Sequence, residues 1–311
     1  MPNYDFAKQL DRFGPNKAER ERISFDEARE YCRWLAHNHY ENFSVVTWLA
    51  PKHLRQHFCN LYAYCRWADD LADETGDRFR SLELLKWWQT QLHDCYRGRA
   101  NHPVFIALVQ TIEDFDIPPE PLVNLLTAFR QDQTTTRYET FDELLGYCRN
   151  SADPVGRLVL RLGRCDDEEN VRLSDSICTG LQLANFCQDV ARDYDAGRVY
   201  LPRESIRRFK YQDEMFERRI CNEAFRGLMK HEVEQAESYL IAGRPLVERA
   251  ADELKMPVEL FVNGGLSILD EIRRINYNVW RRRPTVSKWK KMRLLFSAWW
   301  RHRRNRSWKR H

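Results

Sequence analysis

Asp69 and Asp73 stand four residues apart in Cys65-Arg-Trp-Ala-Asp69-Asp70-Leu-Ala-Asp73-Glu74. On a helix, residues at that spacing share a face, so the two carboxylates project side by side. Like charges so placed repel by about 0.2–0.5 kcal/mol on an exposed helix, and by more if Tyr62, Trp67, Ala68 and Leu71 draw the face out of water. A bound cation removes the conflict. A lone Asp-x-x-x-Asp is also what a solvated acidic face looks like, since surface carboxylates are common. The device recurs, however, in Gly180-Leu-Gln-Leu-Ala-Asn185-Phe-Cys-Gln-Asp189-Val-Ala-Arg-Asp193, where Asn185, Asp189 and Asp193 form one stripe. All these donors are oxygens, which suit Mg²⁺, a hard cation that keeps some of its waters and bridges carboxylates to phosphates. Two stripes fit a diphosphate held through two or three Mg²⁺ ions. Neutralising a departing diphosphate lets an allylic C–O bond ionise without a protein nucleophile, leaving a carbocation.

Tyr147 to Gly156 carries a second signal, because Pro154 inside a helix removes the hydrogen bond to the Asn150 carbonyl and kinks the chain. Asp153 and Asn150 at that bend could hold a water near a cation, while the plainer alternative is an ordinary kink with a solvated Asp. Phe43, Tyr62, Tyr147 and Phe186 offer π faces to a cation, although aromatics on helices more commonly fill a core. His53 and His57 have metal-pair spacing but no third partner in a zincin pattern, which favours surface histidines. There is no Gly-x-x-x-x-Gly-Lys-Ser/Thr loop and no Gly-x-Gly-x-x-Gly turn, so ATP chemistry and Rossmann nucleotide binding have no support.

Helices must position these groups. Capping boxes at Ser24-Phe-Asp-Glu27 and Thr140-Phe-Asp-Glu143 open two of them, and Pro51 suits the first turn of the helix that carries Asp69 and ends near Gly76. Periodicity predicts further helices over about 80–97, 102–114, 120–136, 140–162, 167–195, 213–243 and 257–281. With 12 Gly and 12 Pro in 311 residues, a turn-rich β fold is disfavoured. No internal repeat or flexible linker precedes Pro284, so residues 1–283 are expected to form one all-α body, with 284–311 as a tail.

Nine cysteines, with no Cys-x-x-Cys pair, read as reduced and mostly buried thiols. No apolar stretch approaches the ~20 residues of a membrane span, and the polar N-terminus lacks a secretory h-region, so cytosolic synthesis is expected. Residues 281–311 hold 13 Lys or Arg and no acid, leaving 37 bases against 46 acids before them. Such a block seeks an anionic surface. Trp289, Met292, Leu295, Phe296, Trp299 and Trp300 recur at helical spacing within it, the pattern of an interfacial helix on an anionic membrane.

Tyr62-Ala-Tyr-Cys-Arg66-Trp-Ala-Asp69-Asp70-Leu-Ala-Asp73-Glu74 and Asn185-Phe-Cys-Gln-Asp189-Val-Ala-Arg-Asp193-Tyr-Asp-Ala-Gly-Arg198-Val-Tyr200-Leu-Pro202 together resemble the squalene/phytoene synthase family. Within it, His39-Tyr-Glu-Asn-Phe43 and Tyr147-Cys-Arg-Asn-Ser-Ala-Asp153-Pro154-Val-Gly156 are similar to the bacterial hopanoid-associated hydroxysqualene synthases. The resemblance implies an isoprenoid-synthase helical bundle around a central cavity. It implies Asp69, Asp73, Asn185, Asp189 and Asp193 as Mg²⁺-diphosphate ligands, and His39, Tyr62, Arg66 and Arg198 beside the diphosphate; Phe43 joins them as an expected substrate-binding residue. It also implies Tyr147 in proton handling; with Asn150 and Asp153, read from the Pro154 bend, this residue makes up the expected catalytic group. Presqualene diphosphate or farnesyl diphosphate is the implied substrate, water rather than NADPH is the expected quencher of the cation, and other squalene-pathway enzymes are candidate partners. Condensation of two farnesyl diphosphates to presqualene diphosphate, reductive squalene formation and phytoene synthesis from a C20 substrate share the same ionisation machinery and stay open. One departure is Cys187, where a bulky aromatic is expected, which leaves the pocket's shape open. Against this stands a non-catalytic helical module binding nucleic acid through the basic, Trp-rich tail, which leaves the acidic stripes unexplained.

Overall fold

A computed structural model describes residues 4–16, 22–38 and 51–287, with Trp289, Lys290, Met292, Arg293, Leu295 and Ala298 beyond them. His39 and Phe43 lie outside the described residues, as does most of the tail. Among those described, every regular element is a helix, and one isolated β-bridge joins Arg137 to Val199. The all-α expectation holds. The chain divides into two compact units, residues 1–134 and 135–311.

The first unit contains α1 (Phe6–Phe13), α2 (Phe25–Asn38), α3 (Arg55–Asp73), α4 (Arg78–Tyr96), α5 (Pro103–Phe115) and α6 (Pro119–Asp132). The Ser24 box forms as predicted: the Glu27 amide donates to the Ser24 hydroxyl at 3.3 Å and the Ser24 amide to the Glu27 carboxylate at 2.8 Å. α3 begins at Arg55, four residues after Pro51, and packs against α2, α4, α5 and α6. Its inner face is apolar. Trp67 stacks on Trp88 with ring centroids 5.3 Å apart, and Tyr64 and Phe105 complete this fully buried cluster.

The second unit contains α7 (Phe141–Ser151), α8 (Asp153–Leu162), α9 (Glu168–Asp195), α10 (Arg203–Arg208), α11 (Asp213–Glu217), α12 (Glu223–Gly243), α13 (Leu246–Arg249) and α14 (Lys255–Arg274). The predicted 140–162 helix breaks at Ala152, just before Pro154, where φ −113° and ψ −50° interrupt the ladder. In the Thr140 box the hydroxyl accepts from the Glu143 amide at 3.2 Å, but Glu143 reaches back to the Glu139 amide instead of the cap residue. The predicted 213–243 helix is divided by Arg219 in the left-handed region, φ 50°. Left-handed Asn276 and Tyr277 stop α14 short of the expected 281.

α9 is the long element of this unit and lies against α8, α12 and α14. Gly156 permits the α8 contact, since a Cβ there would sit 2.3 Å from the Ser174 hydroxyl and 2.5 Å from the Cys178 sulfur. All nine cysteines are free and five are buried, in line with the reading as reduced thiols.

Candidate active site

α3 sorts its acids by depth. Asp70 is 1 % exposed and accepts from both the Arg66 guanidinium and the Tyr4 hydroxyl, so α1's N-terminal flank ties down the buried acid. Burial raises the Asp70 pKa, and the two hydrogen bonds oppose that rise. Asp69 keeps 43 % of its side-chain surface and meets Arg66 at 3.1 Å, while Asp73, one turn on, is exposed. Burial pushes Asp69 up to about 6; Arg66 opposes this, while Asp73, Asp70 and Asp132 of α6 add to it. Tyr62 sits one turn before Arg66, half-buried, with its hydroxyl pushed by burial to about 12. The α3 end is fixed because the Ala72 carbonyl accepts from Ser81 at 2.9 Å and Gln133 at 3.1 Å.

α9 arranges its stripe differently. Asn185 is exposed, Asp193 half-buried, and the Asp189 carboxylate only 11 % exposed. Asp189 is gripped by Arg283, whose Nη2 donates to Oδ2 at 2.8 Å while Nε donates to Oδ1. The Arg198 amide donates to the Asp193 carbonyl at 2.7 Å, which folds the turn after α9 back and returns Arg198 to the stripe's end.

The donor sets suit Mg²⁺. Each stripe supplies only oxygens, and on α3 the Asp73, Asp70 and Asp132 charges add to the rise that burial gives Asp69, a repulsion that a divalent ion relieves. Among the described residues no group of three or more His, Cys, Asp or Glu side chains could hold a metal alone. Magnesium commonly takes one or two carboxylates and completes its shell with water and substrate phosphate.

The second unit also holds an aromatic cluster. The Arg137–Val199 bridge brings the chain before α7 beside the turn after α9, so Tyr138 and Tyr200 stack at 6.0 Å. Tyr200 also stacks on Phe186 at 4.0 Å, and Tyr147 lies 5.7 Å from Tyr200 and 6.1 Å from Phe186. The break between α7 and α8 buries Asp153, which is 3 % exposed and accepts from Thr179 of α9 at 2.9 Å. Burial, reinforced by the nearby Asp175 charge, pushes Asp153 up to about 7. The solvated-Asp alternative at this bend is therefore excluded. Asn150 is half-buried in the last turn of α7; the partner of Asp153 is Thr179.

Cys187 does not belong to the stripe face. It is two positions from Asn185, on the opposite side of a 3.6-residue helix, buried and electrostatically coupled to Glu232 of α12. Burial pushes Glu232 itself to about 7. His57 departs from its surface reading: it is half-buried and bonded to Thr111 at 3.1 Å. Sequence reasoning missed Tyr4, Thr179 and Arg283, each far in sequence from the acid it holds. Tyr138 stood outside the motifs, and Tyr200 stood inside one without a role.

The squalene/phytoene synthase family model matches residues 36–290. A 15-cis-phytoene synthase from Synechocystis sp. is 29 % identical over 297 residues, 92 % of this chain and 88 % of that one. A hydroxysqualene synthase from Rhodopseudomonas palustris is 39 % identical over 168 residues, 53 % of this chain and 56 % of its own. The crystal structure of squalene synthase HpnC from Alicyclobacillus acidocaldarius superimposes with a TM-score of 0.78 at 41 % identity, covering 82 % of this chain and 96 % of that one. With both acidic motifs inside the matched span, the chain belongs to the squalene/phytoene synthase family, whose members use prenyl diphosphates.

Proposed function

We propose that this protein converts presqualene diphosphate and water to hydroxysqualene and diphosphate. The observation that carries the reading is Asp153, a carboxyl buried at the break between α7 and α8 and bonded to Thr179, where burial pushes it up to about 7 and suits it to take a proton at neutral pH. The higher identities, 39 % and 41 %, are to the hydroxysqualene synthase and the HpnC protein. Asp69, Asp73, Asn185, Asp189 and Asp193 would hold Mg²⁺, which supplies Lewis-acid stabilisation of the leaving diphosphate. The C–O bond breaks with its electron pair leaving on diphosphate, and the cyclopropylcarbinyl cation rearranges. Tyr147, Phe186 and Tyr200 offer π faces to that cation. Water adds through oxygen, and Asp153 accepts the proton released. No reductant enters, so NADPH is not required.

A second reading, phytoene synthesis from a C20 diphosphate, draws on the longer match to the Synechocystis protein, 92 % of this chain against 53 %. Purified protein given presqualene, farnesyl or geranylgeranyl diphosphate with Mg²⁺ and no NADPH separates them. A C30 alcohol from presqualene diphosphate is expected; phytoene, or unchanged presqualene diphosphate, overturns the reading.

For the tail we propose an anionic membrane as partner. Trp289 and Met292 are 81 % and 61 % exposed, while Lys290 turns to Asp270 and Glu271 at 3.7 Å and Ala298 is buried. Among the described residues no helix is long and apolar enough to cross a membrane. Deleting 285–311 should leave turnover in detergent intact and abolish co-sedimentation with anionic vesicles; unchanged sedimentation contradicts the proposal.

A further inference from the structure

After α14, the chain turns back through left-handed Asn276 and Tyr277 and is pinned by Val279 and Trp280, 1 % and 8 % exposed. The Trp280 ring lies 5.7 Å from Tyr194, 5.9 Å from Phe216 and 5.5 Å from Phe225. Three residues on, this strap delivers Arg283 to both Asp189 oxygens. Two further bonds fix it there: Gln188 donates to the Pro284 carbonyl at 2.6 Å, and Arg283 reaches the Gln188 oxygen at 3.3 Å. The strap thus carries a built contact on the carboxylate that the function above assigns to a metal.

A carboxylate forked by a guanidinium has one lone pair of each oxygen engaged and its charge already balanced. A divalent ion bonded to Asp189 at about 2.0–2.1 Å would stand within a few ångströms of the guanidinium charge in a site almost closed to water. There, repulsion is weakly screened. The two cations compete for one carboxylate.

We propose that Arg283 is a substitute cation, a positioning residue that holds Asp189 in the metal-free protein and is exchanged for the divalent ion on loading. Apparent metal affinity is then reduced by the fraction of molecules in which Arg283 sits on Asp189. Segment 281–287 becomes the part of the fold that must yield when metal binds. The inference rests on Asp189 being a metal ligand, and the test separates the two.

The full-length protein, without substrate, is titrated with Mn²⁺ while free Mn²⁺ is followed by electron paramagnetic resonance. Arg283→Gln should tighten the Asp189-dependent site about tenfold, Arg283→Lys should fall between it and wild type, and Arg192→Gln, which removes an exposed charge 3.9 Å from the same carboxylate, should change it less than twofold. In wild type, saturating Mn²⁺ should accelerate amide exchange across 281–287, and in Asp189→Asn it should not. If Asp189→Asn loses the site while Arg283→Gln binds as wild type or more weakly, the exchange is refuted and the ligand assignment stands. If Asp189→Asn binds Mn²⁺ like wild type, both fall. Unchanged exchange at 281–287 on loading also overturns the proposal.

Discussion

The two acidic helices use the same four-residue spacing and solve the resulting repulsion in opposite ways. On α3 the balancing cation is local: Arg66, one turn upstream, meets Asp69 and is anchored by Asp70, which leaves Asp73 at the surface. On α9 it comes from 94 residues away, when Arg283 closes on a nearly buried Asp189. A locally balanced acid stays partly open and carries a raised pKa. A remotely balanced one is closed until the remote segment moves. Two motifs that look equivalent on the page therefore have different access to an incoming ion.

The largest effect expected concerns what the helices share. Asp69→Asn and Asp189→Asn should each lower turnover by about 10³-fold or more, because an amide binds Mg²⁺ far more weakly than a carboxylate. Circular dichroism should show the helices intact in both. Near-normal turnover in one variant alone would show that only one stripe serves the metal.

Next comes the contrast within α3. Asp70→Ala takes from Arg66 the more buried of its two carboxylate partners and from the Tyr4 hydroxyl an acceptor, and should destabilise by about 3 kcal/mol, the low end for a broken buried pair, since Arg66 keeps Asp69 and remains 23 % exposed. Asp69→Ala should stay within about 1 kcal/mol, as a partly exposed pair does. Chemical denaturation of the two variants checks this, and equal losses would remove the distinction between a structural and a ligand acid.

Asp153 gives a pH signature in the second unit. Its folded pKa, about 7, lies above the ordinary 3.8, so its contribution to stability is complete below pH 3.8 and declines as pH rises to about 7. Glu232 follows the same course from 4.5 to about 7. Asp153→Asn should therefore gain about 1–2 kcal/mol at pH 8 and little at pH 4, while losing alcohol formation. Equal changes at both pH values would place the carboxyl in water. The smallest effect expected is Gly156→Ala: the added Cβ meets two side-chain atoms of α9 and should destabilise by about 1 kcal/mol. An unchanged melt would show that α8 can shift away from α9.

How much of this was legible follows from range along the chain. Both stripes, the Ser24 cap and the break before Pro154 are written within four or five residues, where helix geometry and proline chemistry decide. The partners of the acids are not: Tyr4 reaches Asp70 across 66 residues, and Thr179 reaches Asp153 across 26. Helix periodicity alone turns Cys187 away from the stripe, two positions from both Asn185 and Asp189. Arg219 gave no warning, because a left-handed arginine has no compositional mark.

The central claim is that water ends the cation's life in this site. Presqualene diphosphate turned over with Mg²⁺ in H₂¹⁸O, with the product read by mass spectrometry, tests it most directly. The account predicts a C30 alcohol carrying one ¹⁸O; an unlabelled alcohol or a hydrocarbon would contradict it.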